Sequence, residues 1–333
     1  MTDRFPLLRL PQDAVKCVLR SMEPLDMVLF SFFSNRAKSL VASINMMAKV
    51  KVVVSDIFTI IANVDEHQFQ FQFYYHEVKN GAIPIKMGTP GIVYLIHFMN
   101  GEARIPKAMD IPSWFGHIKT IFNCPKISLL QFFQDVGNFD LNSIRDNMIQ
   151  GGFNDDCSLM LFAQNSDDYN HKIMKTFRNI KHLSLETETY DNGKPPGEVL
   201  IQNFCEFAVG LHSIGPTTMK LDDILMMNSK NVVIGLSKLT EKDANRFLKL
   251  WMRGNSKLEL LSLRFSTELD VDRDTVLEGI KFREIPLEVK RFHVRSDDLI
   301  KGGYDIVRRD GIRGTIKFGK GYMEFYAWHD YCK

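Results

Sequence analysis

Residues 5–22 read FPLLRLPQDAVKCVLRSM, a short apolar arm that ends at a proline and continues into a patterned segment. Val15, Val18 and Leu19 recur at the spacing of one helix face, which predicts an amphipathic helix. Pro11 fixes the backbone at the turn from the arm into that helix. We therefore expect an extended arm followed by a helix with one apolar face.

Two further short helices are predicted directly after the first. Pro24 opens the second, because proline fits the first helical turn. Ser34 is a possible N-cap of a third helix that runs to Val41. Three short helices within residues 4–45 form only a marginal core, since so small a unit has much surface for its volume. Such a unit is expected to pack against a neighbour or a partner.

Residues 46–150 are predicted to form a strand-rich connecting region that is continuous with the domain that follows. At 68–73 Phe and Gln alternate strictly, so three Phe face one side of a strand and three Gln the other. Asn80-Gly81 indicates a turn. The predicted strands are 49–54, 57–61, 68–73 and 91–98.

Residues 151–333 are predicted to form an irregular, leucine-rich-repeat-like α/β domain. Strands are expected at 180–185, 232–236 and 258–263. The last two lie roughly 27 residues apart, within the ~20–29-residue range of that repeat. Between them, residues 240–254 predict a helix with a Thr-x-x-Asp capping box and a terminal glycine. Strand, helix and strand with a right-handed crossover give a parallel layer.

The C-terminal pattern changes again and predicts a hairpin-type sheet edge. Strands are expected at 314–318 and 322–328, with Asp310-Gly311 as a tight turn. The predicted fold class is α+β. A three-helix unit at 4–45 precedes the connecting region and the leucine-rich-repeat-like domain, which ends in that edge.

Composition excludes several classes of protein. The 333 residues hold 42 Lys+Arg against 40 Asp+Glu, so no overall charge attracts nucleic acid or an anionic membrane. Five widely spaced cysteines fit neither a disulfide framework nor a zinc knuckle. The first residues lack the apolar core of a signal peptide, and no stretch reaches the roughly 18–20 apolar residues of a membrane span. We expect a cytoplasmic or nuclear protein with no nucleic-acid or membrane partner.

Sequence motifs of catalysis are missing. No phosphate-binding loop, dinucleotide-binding fingerprint or zinc-protease motif occurs. The segment 210–215 only faintly resembles a nucleophile elbow. Arg308, Arg309 and Arg313 make too small a basic cluster for nucleic acid. Paired aspartates at 155–156, 167–168, 222–223 and 297–298 fit helix starts better than calcium loops. We expect no catalytic residue, no metal site and no cofactor.

The N-terminal segment closely resembles an F-box, in the form that opens FPLLRLP in nematode F-box proteins. In that family the F-box docks on a Skp-type adaptor, which links it to a cullin-RING ubiquitin ligase. The resemblance implies that much of the adaptor-docking face consists of Leu8, Leu10, Pro11, Val15, Val18 and Leu19. Leu29 and Phe30 would brace that face or join it. The alternative is an ordinary three-helix cap that keeps all these residues in its own core.

Residues from about 172 to 328 are similar to the type 2 F-box-associated domain of the same proteins. The matching stretches are Asp222–Leu225 with Asn228–Lys230, Asn245–Trp251, and Tyr304–Ile306 with Arg309–Gly311. The resemblance implies capture of a partner or target protein. The expected protein is therefore a substrate-recognition adaptor of a ubiquitin ligase and not an enzyme. A leucine-rich interaction scaffold without a ubiquitin role is the alternative, and a hydrolase with a hidden Ser-His-Asp or Cys-His site is a more distant one.

Overall fold

The structure is a computed structural model that divides into two compact units. The first holds Met1–Met160 with Asp168–Ile180, and the second holds Leu161–Asp167 with Lys181–Lys333. The residues it describes are 9–75, 85–124, 126–133, 139–153, 156–162, 166–186, 189–190, 192–213, 215–254, 256–266, 270–294 and 298–329. Leu8, the Asn80-Gly81 turn, Asp155 and Asp297 lie outside the described residues.

The first unit opens with the three predicted helices. They are α1 (Gln12–Ser21), α2 (Pro24–Phe30) and α3 (Asn35–Ala42). Pro24 begins α2 as predicted, and the Ser34 hydroxyl accepts a hydrogen bond from the Ala37 amide at 3.1 Å, which confirms the N-cap.

A sheet follows the helices in the first unit. Its strands are β1 (Lys49–Val54), β2 (Phe58–Val64), β3 (His67–Tyr74), β4 (Ile92–His97), β5 (Gly101–Ile105), β6 (Ile127–Phe132) and β7 (Ser158–Leu161). The strand order is β7-β6-β1-β2-β3-β4-β5, with β1 to β5 antiparallel and β6 parallel to β1. The helices between and beside these strands are α4 (Ile111–Ile121), α5 (Leu141–Gln150) and α6 (Asp167–Thr176).

The alternation in β3 fixes which face of this sheet is covered. Phe69, Phe71 and Phe73 are at most 1% exposed, whereas the three glutamines that alternate with them are half-buried. Trp114 of α4 covers the phenylalanine face, with its ring centroid 5.4 Å from that of Phe73. The predicted two-sided strand is confirmed. The covered face carries the main core of the unit.

The second unit combines a parallel layer with an antiparallel edge. Its strands are β8 (His182–Leu185), β9 (Glu206–Val209), β10 (Asn231–Ser237), β11 (Leu260–Phe265), β12 (Arg283–His293), β13 (Asp298–Val307), β14 (Arg313–Gly319) and β15 (Tyr322–Trp328). Strands β8 to β11 are parallel, and β11, β15, β14, β13 and β12 pair antiparallel in that order. The parallel pairing of β10 with β11 and the hairpin of β14 with β15 agree with the sequence prediction, whereas β9, β12 and β13 were not predicted and the leucine-rich-repeat-like character stays a prediction. The helices are α7 (Gly197–Leu200), α8 (Leu221–Met226), α9 (Glu241–Arg253) and α10 (Arg273–Leu277).

Helix α9 shows the predicted caps and buries one stripe of its side chains. The Thr240 hydroxyl accepts from the Asp243 amide, and the Asp243 carboxylate accepts from the Thr240 amide, so the capping box is closed. The buried side chains are Ala244, Asn245, Phe247, Leu248 and Trp251. Trp251 packs at 4.7 Å against the ring of Phe325 in β15, and α9 thus covers one face of the sheet.

A close backbone approach at Gly235 shapes the centre of this sheet. The pairing of β10 with β11 shifts register between Ile234 and Leu236. A Cβ added at Gly235 would overlap the carbonyl of Gly210, which follows β9. Only glycine fits here, because the obstacle is backbone and cannot rotate away.

We therefore expect Gly235→Ala to lower the free energy of unfolding by about 3 kcal/mol, the upper end of the ~1–3 kcal/mol typical of overpacking. Urea denaturation followed by circular dichroism measures the change. Gly215→Ala is the matched control, since a Cβ there meets nothing within 4 Å. Equal stability of the two variants would contradict the packing described for Gly235.

Candidate functional site

The three N-terminal helices enclose a small core of their own. Val15 and Leu19 of α1 are 1% and 0% exposed and lie in this core. The sequence prediction placed both on the docking face, and their part in docking stays a prediction. In the free chain both side chains are buried, and α3 packs against α1. Other core members are Leu25, Met27, Val28, Ala37 and Val41.

The remaining predicted residues keep part of their surface in solvent. Pro11 is exposed, and Leu10 and Val18 are half-buried. Leu29 and Phe30 of α2 are also half-buried. The face that this small unit offers is thus formed by the end of the arm, one side of α1 and part of α2.

Phe33 adds an exposed aromatic ring that the sequence analysis did not select. It is 81% exposed in the turn between α2 and α3, and its ring lies 6.2 Å from that of Phe30, edge to face. A phenylalanine exposed to this degree adjoins the half-buried Phe30 and enlarges the apolar surface.

The opposite side of the helices packs against α4 through a buried aromatic and polar cluster. The ring of Phe32 stacks on that of His117 at 4.0 Å and lies 5.2 Å from Trp114. Lys107 lies over Phe32 and donates to its carbonyl at 3.3 Å. This contact confirms that the helices pack against a neighbour. It fixes their orientation within the first unit.

A buried hydrogen bond lies at the centre of this contact. Ser31 donates its hydroxyl to the carbonyl of Val28 at 2.6 Å, and its oxygen lies 2.8 Å from Nε2 of His117. When the Ser31 proton lies on the Val28 carbonyl, the Ser31 oxygen accepts a hydrogen bond from Nε2 of His117. Burial, followed by the charges of Lys38 and Lys107, lowers the pKa of His117 to about 3. The imidazole is therefore neutral at physiological pH.

This geometry excludes the Ser31–His117 pair as a hydrolase site. In a catalytic pair the serine is accessible to substrate and a carboxylate orients the histidine. No described carboxylate bonds to His117, and both side chains are at most 5% exposed. Among the described residues no group of His, Cys, Asp or Glu could hold a metal ion.

A second contact joins the helices to the turn between β4 and β5. The side-chain amide of Asn100 donates to the carboxylate of Glu23, which lies between α1 and α2. Phe98 and Met99 in the same turn are 85% and 68% exposed. The hydrogen bond from Asn100 thus links the corner between α1 and α2 to a turn outside the three helices.

Candidate residues in the second unit mostly serve its structure. Glu186, which is 4% exposed, accepts hydrogen bonds from the His212 amide and the Ser213 hydroxyl, so these contacts hold the elbow-like loop. Arg308 is 5% exposed and pairs with Asp310 at 2.8 Å, which removes one arginine from the predicted basic cluster. Asp223 bonds to the Lys220 amide at the start of α8, as expected for an aspartate at a helix start.

The N-terminal helices and part of the second unit each match a known protein family. The F-box domain family matches residues 7–48, and the F-box associated family matches residues 196–264. The chain is similar to the F-box associated domain-containing protein sdz-33 of Caenorhabditis elegans, with 21% identity over 328 residues. That similarity covers 97% of this chain and 96% of the relative. No solved structure matches the chain.

The chain thus contains an F-box at residues 7–48 and an F-box-associated region at residues 196–264. The F-box includes α1, α2 and α3, and the associated region runs from before β9 to Arg264 in β11. Both families point to ubiquitin-ligase adaptors, and neither is a catalytic family. Of the helices that the structure describes, none combines the length and the apolar character required to cross a bilayer.

The histidine beneath the F-box predicts a pH dependence of stability. Its pKa of about 3 in the folded chain lies below the ordinary value of 6.5, so the unfolded chain binds the extra proton first. This contribution to stability is complete above pH 6.5 and is lost as the pH falls toward 3. Between pH 6.5 and 5 the loss is on the order of 1–2 kcal/mol.

We expect His117→Gln to remove this part of the pH dependence, because glutamine can still donate to Ser31 but does not titrate. The measurement is urea denaturation of both proteins at pH 7.5 and pH 5. The other histidines titrate equally in the two proteins and cancel in the comparison. Identical pH slopes would show that His117 is not buried in its neutral form.

Proposed function

We propose that this protein is a substrate-recognition adaptor of a cullin-RING ubiquitin ligase. Its F-box would dock on a Skp-type adaptor and through it on a cullin, while the second unit captures a target protein. One observation carries the first half of this proposal. The F-box is braced on one side by its own unit, yet it keeps exposed apolar residues on another. Such a surface is typical of an interface.

The proposed docking face consists of the arm, α1 and α2. Leu10, Pro11 and Val18 would form its first part, together with Leu8 in the arm. Leu29 and Phe30 would form its second part. Val15 and Leu19 would support the face from beneath, because their side chains fill the core behind it. Bracing by α4 would present this face in one orientation, which lowers the cost of ordering it on binding.

The role proposed for the second unit follows from its architecture. We infer that the parallel strands β8 to β11 with their helices form irregular leucine-rich-type units, which follow the F-box and the connecting region at 46–150. This layer offers a rigid frame on which exposed loops and strand edges can bind another protein. No bond-making step is assigned to any residue, because ubiquitin transfer would occur on other subunits.

Leu10→Asp combined with Pro11→Ala is expected to weaken binding of a purified Skp-type adaptor by about 100-fold. Such a loss is of the size produced when one anchor is removed and a charge is buried in its place. Isothermal titration calorimetry on the full chain measures it. Leu225→Asp is the matched control, since Leu225 is 43% exposed in the second unit.

Three results decide the outcome. Unchanged melting curves with weaker binding of the double variant alone would support the docking face. Equal binding by both variants would contradict it. Failure of the unaltered chain to bind any Skp-type adaptor would favour an interaction scaffold without a ubiquitin role.

A further inference from the structure

The antiparallel ribbon of β12 and β13 has one face open to solvent. Phe292 pairs directly with Leu299, and Lys290 pairs directly with Lys301, so all four side chains lie on one face. Phe292 is 50% exposed and Leu299 is 51% exposed. Two exposed apolar side chains in direct contact distance form a patch rather than isolated surface residues.

The other face of the ribbon is anchored to the sheet of the same unit. Ile300 and His293 on that face are 1% and 0% exposed. Arg291 makes a two-pronged ion pair with Asp305, each contact 3.0 Å long, and its guanidinium lies 5.0 Å from the ring of Trp328. The ribbon is thus held in place, and its exposed face is fixed in position.

The paired lysines break an ordinary rule of sheet stability. Like charges directly opposite each other repel and destabilise a strand pair. Neither Lys290 nor Lys301 forms an ion pair with any residue that the structure describes. A local rule broken without a compensating contact among the described residues is typical of a functional site. The missing compensation would be a negative charge supplied by a ligand.

The apolar surface continues along β12 into a bulge. Register shifts between Ile285 and Lys290, and within this stretch Leu287 is 73% exposed and Val289 is 42% exposed. A groove of about 740 Å³ begins at the bulge. Residues that line it include Leu287, Tyr304, Phe318, Lys301, Lys317 and Lys320.

The charges that line the groove balance, and the excess of positive charge lies on the ribbon. Four acidic residues line the groove together with Arg273 and three lysines, so the formal charges cancel. Lys290, which pairs with Lys301, adds one further cation on the ribbon. The anionic group of a ligand is therefore expected at the pair of Lys290 and Lys301.

We propose that this ribbon and groove bind an extended, acidic segment of a target protein that also carries apolar side chains. The inference rests on the proposed function, in which the second unit captures the target. Every second side chain of an extended chain points to the same face, so a carboxylate could meet Lys290 and Lys301 while an apolar side chain two residues along meets Phe292 and Leu299. Strand β12 is the last strand of its sheet, and its outer backbone edge suits the addition of such a strand.

The test uses defined peptides rather than an unknown target. Random ten-residue peptides displayed on phage are selected on the full chain at 150 mM salt. The selected peptides are then synthesised and their binding is measured by fluorescence anisotropy. We expect selection to enrich sequences in which Asp or Glu lies two residues from Val, Leu or Phe. No enrichment, or enrichment of basic sequences, would overturn the proposal.

Charge reversal separates ligand binding from folding. Lys290→Glu creates an opposite-charge pair with Lys301, so the melting temperature should stay the same or rise. Peptide affinity should nevertheless fall at least tenfold. Lys242→Glu is the matched control, because this exposed lysine lies on α9 and its reversal changes the net charge equally. Equal affinity of the two variants would contradict a role for the ribbon.

Two further arms complete the test. Phe292→Ser with Leu299→Ser should also reduce peptide affinity at least tenfold, whereas unchanged affinity would overturn the apolar half of the proposal. A single-stranded RNA oligonucleotide that binds at Lys290 more tightly than every selected peptide would replace the peptide assignment by nucleic acid. Adaptor binding is measured on the same preparation in order to separate the two proposals. A preparation that binds the selected peptides but not the adaptor overturns only the ligase role.

Discussion

The structure depends on one constraint: the three F-box helices are too small to bury all of their own apolar surface. Their core accounts for one side of each helix, and the stacked rings of Phe32 and His117 place part of the rest against α4. What remains exposed among the described residues is the end of the arm, one side of α1 and part of α2. The packing against α4 and the exposed face thus have the same cause, because a unit of this size has too small an interior for its apolar side chains. A free three-helix unit would have neither fixed orientation nor a defined face.

In the second unit, each of the two faces of the sheet needs side chains packed against it. Helix α9 covers one face with Trp251 and Phe247, which pack against Phe325. On the other face the ribbon is held by the ion pair of Arg291 with Asp305, and by the hydroxyl of Thr315, which donates to Asp305 at 2.6 Å. An anchored ribbon keeps its outer face in solvent. This is why its apolar and lysine side chains remain available to a partner.

Local patterns in the sequence predicted the elements well and the contacts between distant elements poorly. The alternation at 68–73, the capping box of α9 and the N-cap at Ser34 all depend on neighbours within a few residues, and all are confirmed. The inward position of Val15 depends on how α2 and α3 pack, which spacing along one helix does not define. The contact between Ser31 and His117 spans 86 residues, and no periodicity connects them. Even adjacent Phe32 and Phe33 differ in exposure, since only one faces α4.

The central claim is that the exposed face of the F-box is covered by a second protein. Hydrogen–deuterium exchange of the full chain, with and without a saturating Skp-type adaptor, tests it most directly. The account predicts slower exchange from the arm through α2 and unchanged exchange in strands β8 to β15. A complex that leaves α1 and α2 as exchangeable as in the free chain, or that protects the second unit instead, would contradict it.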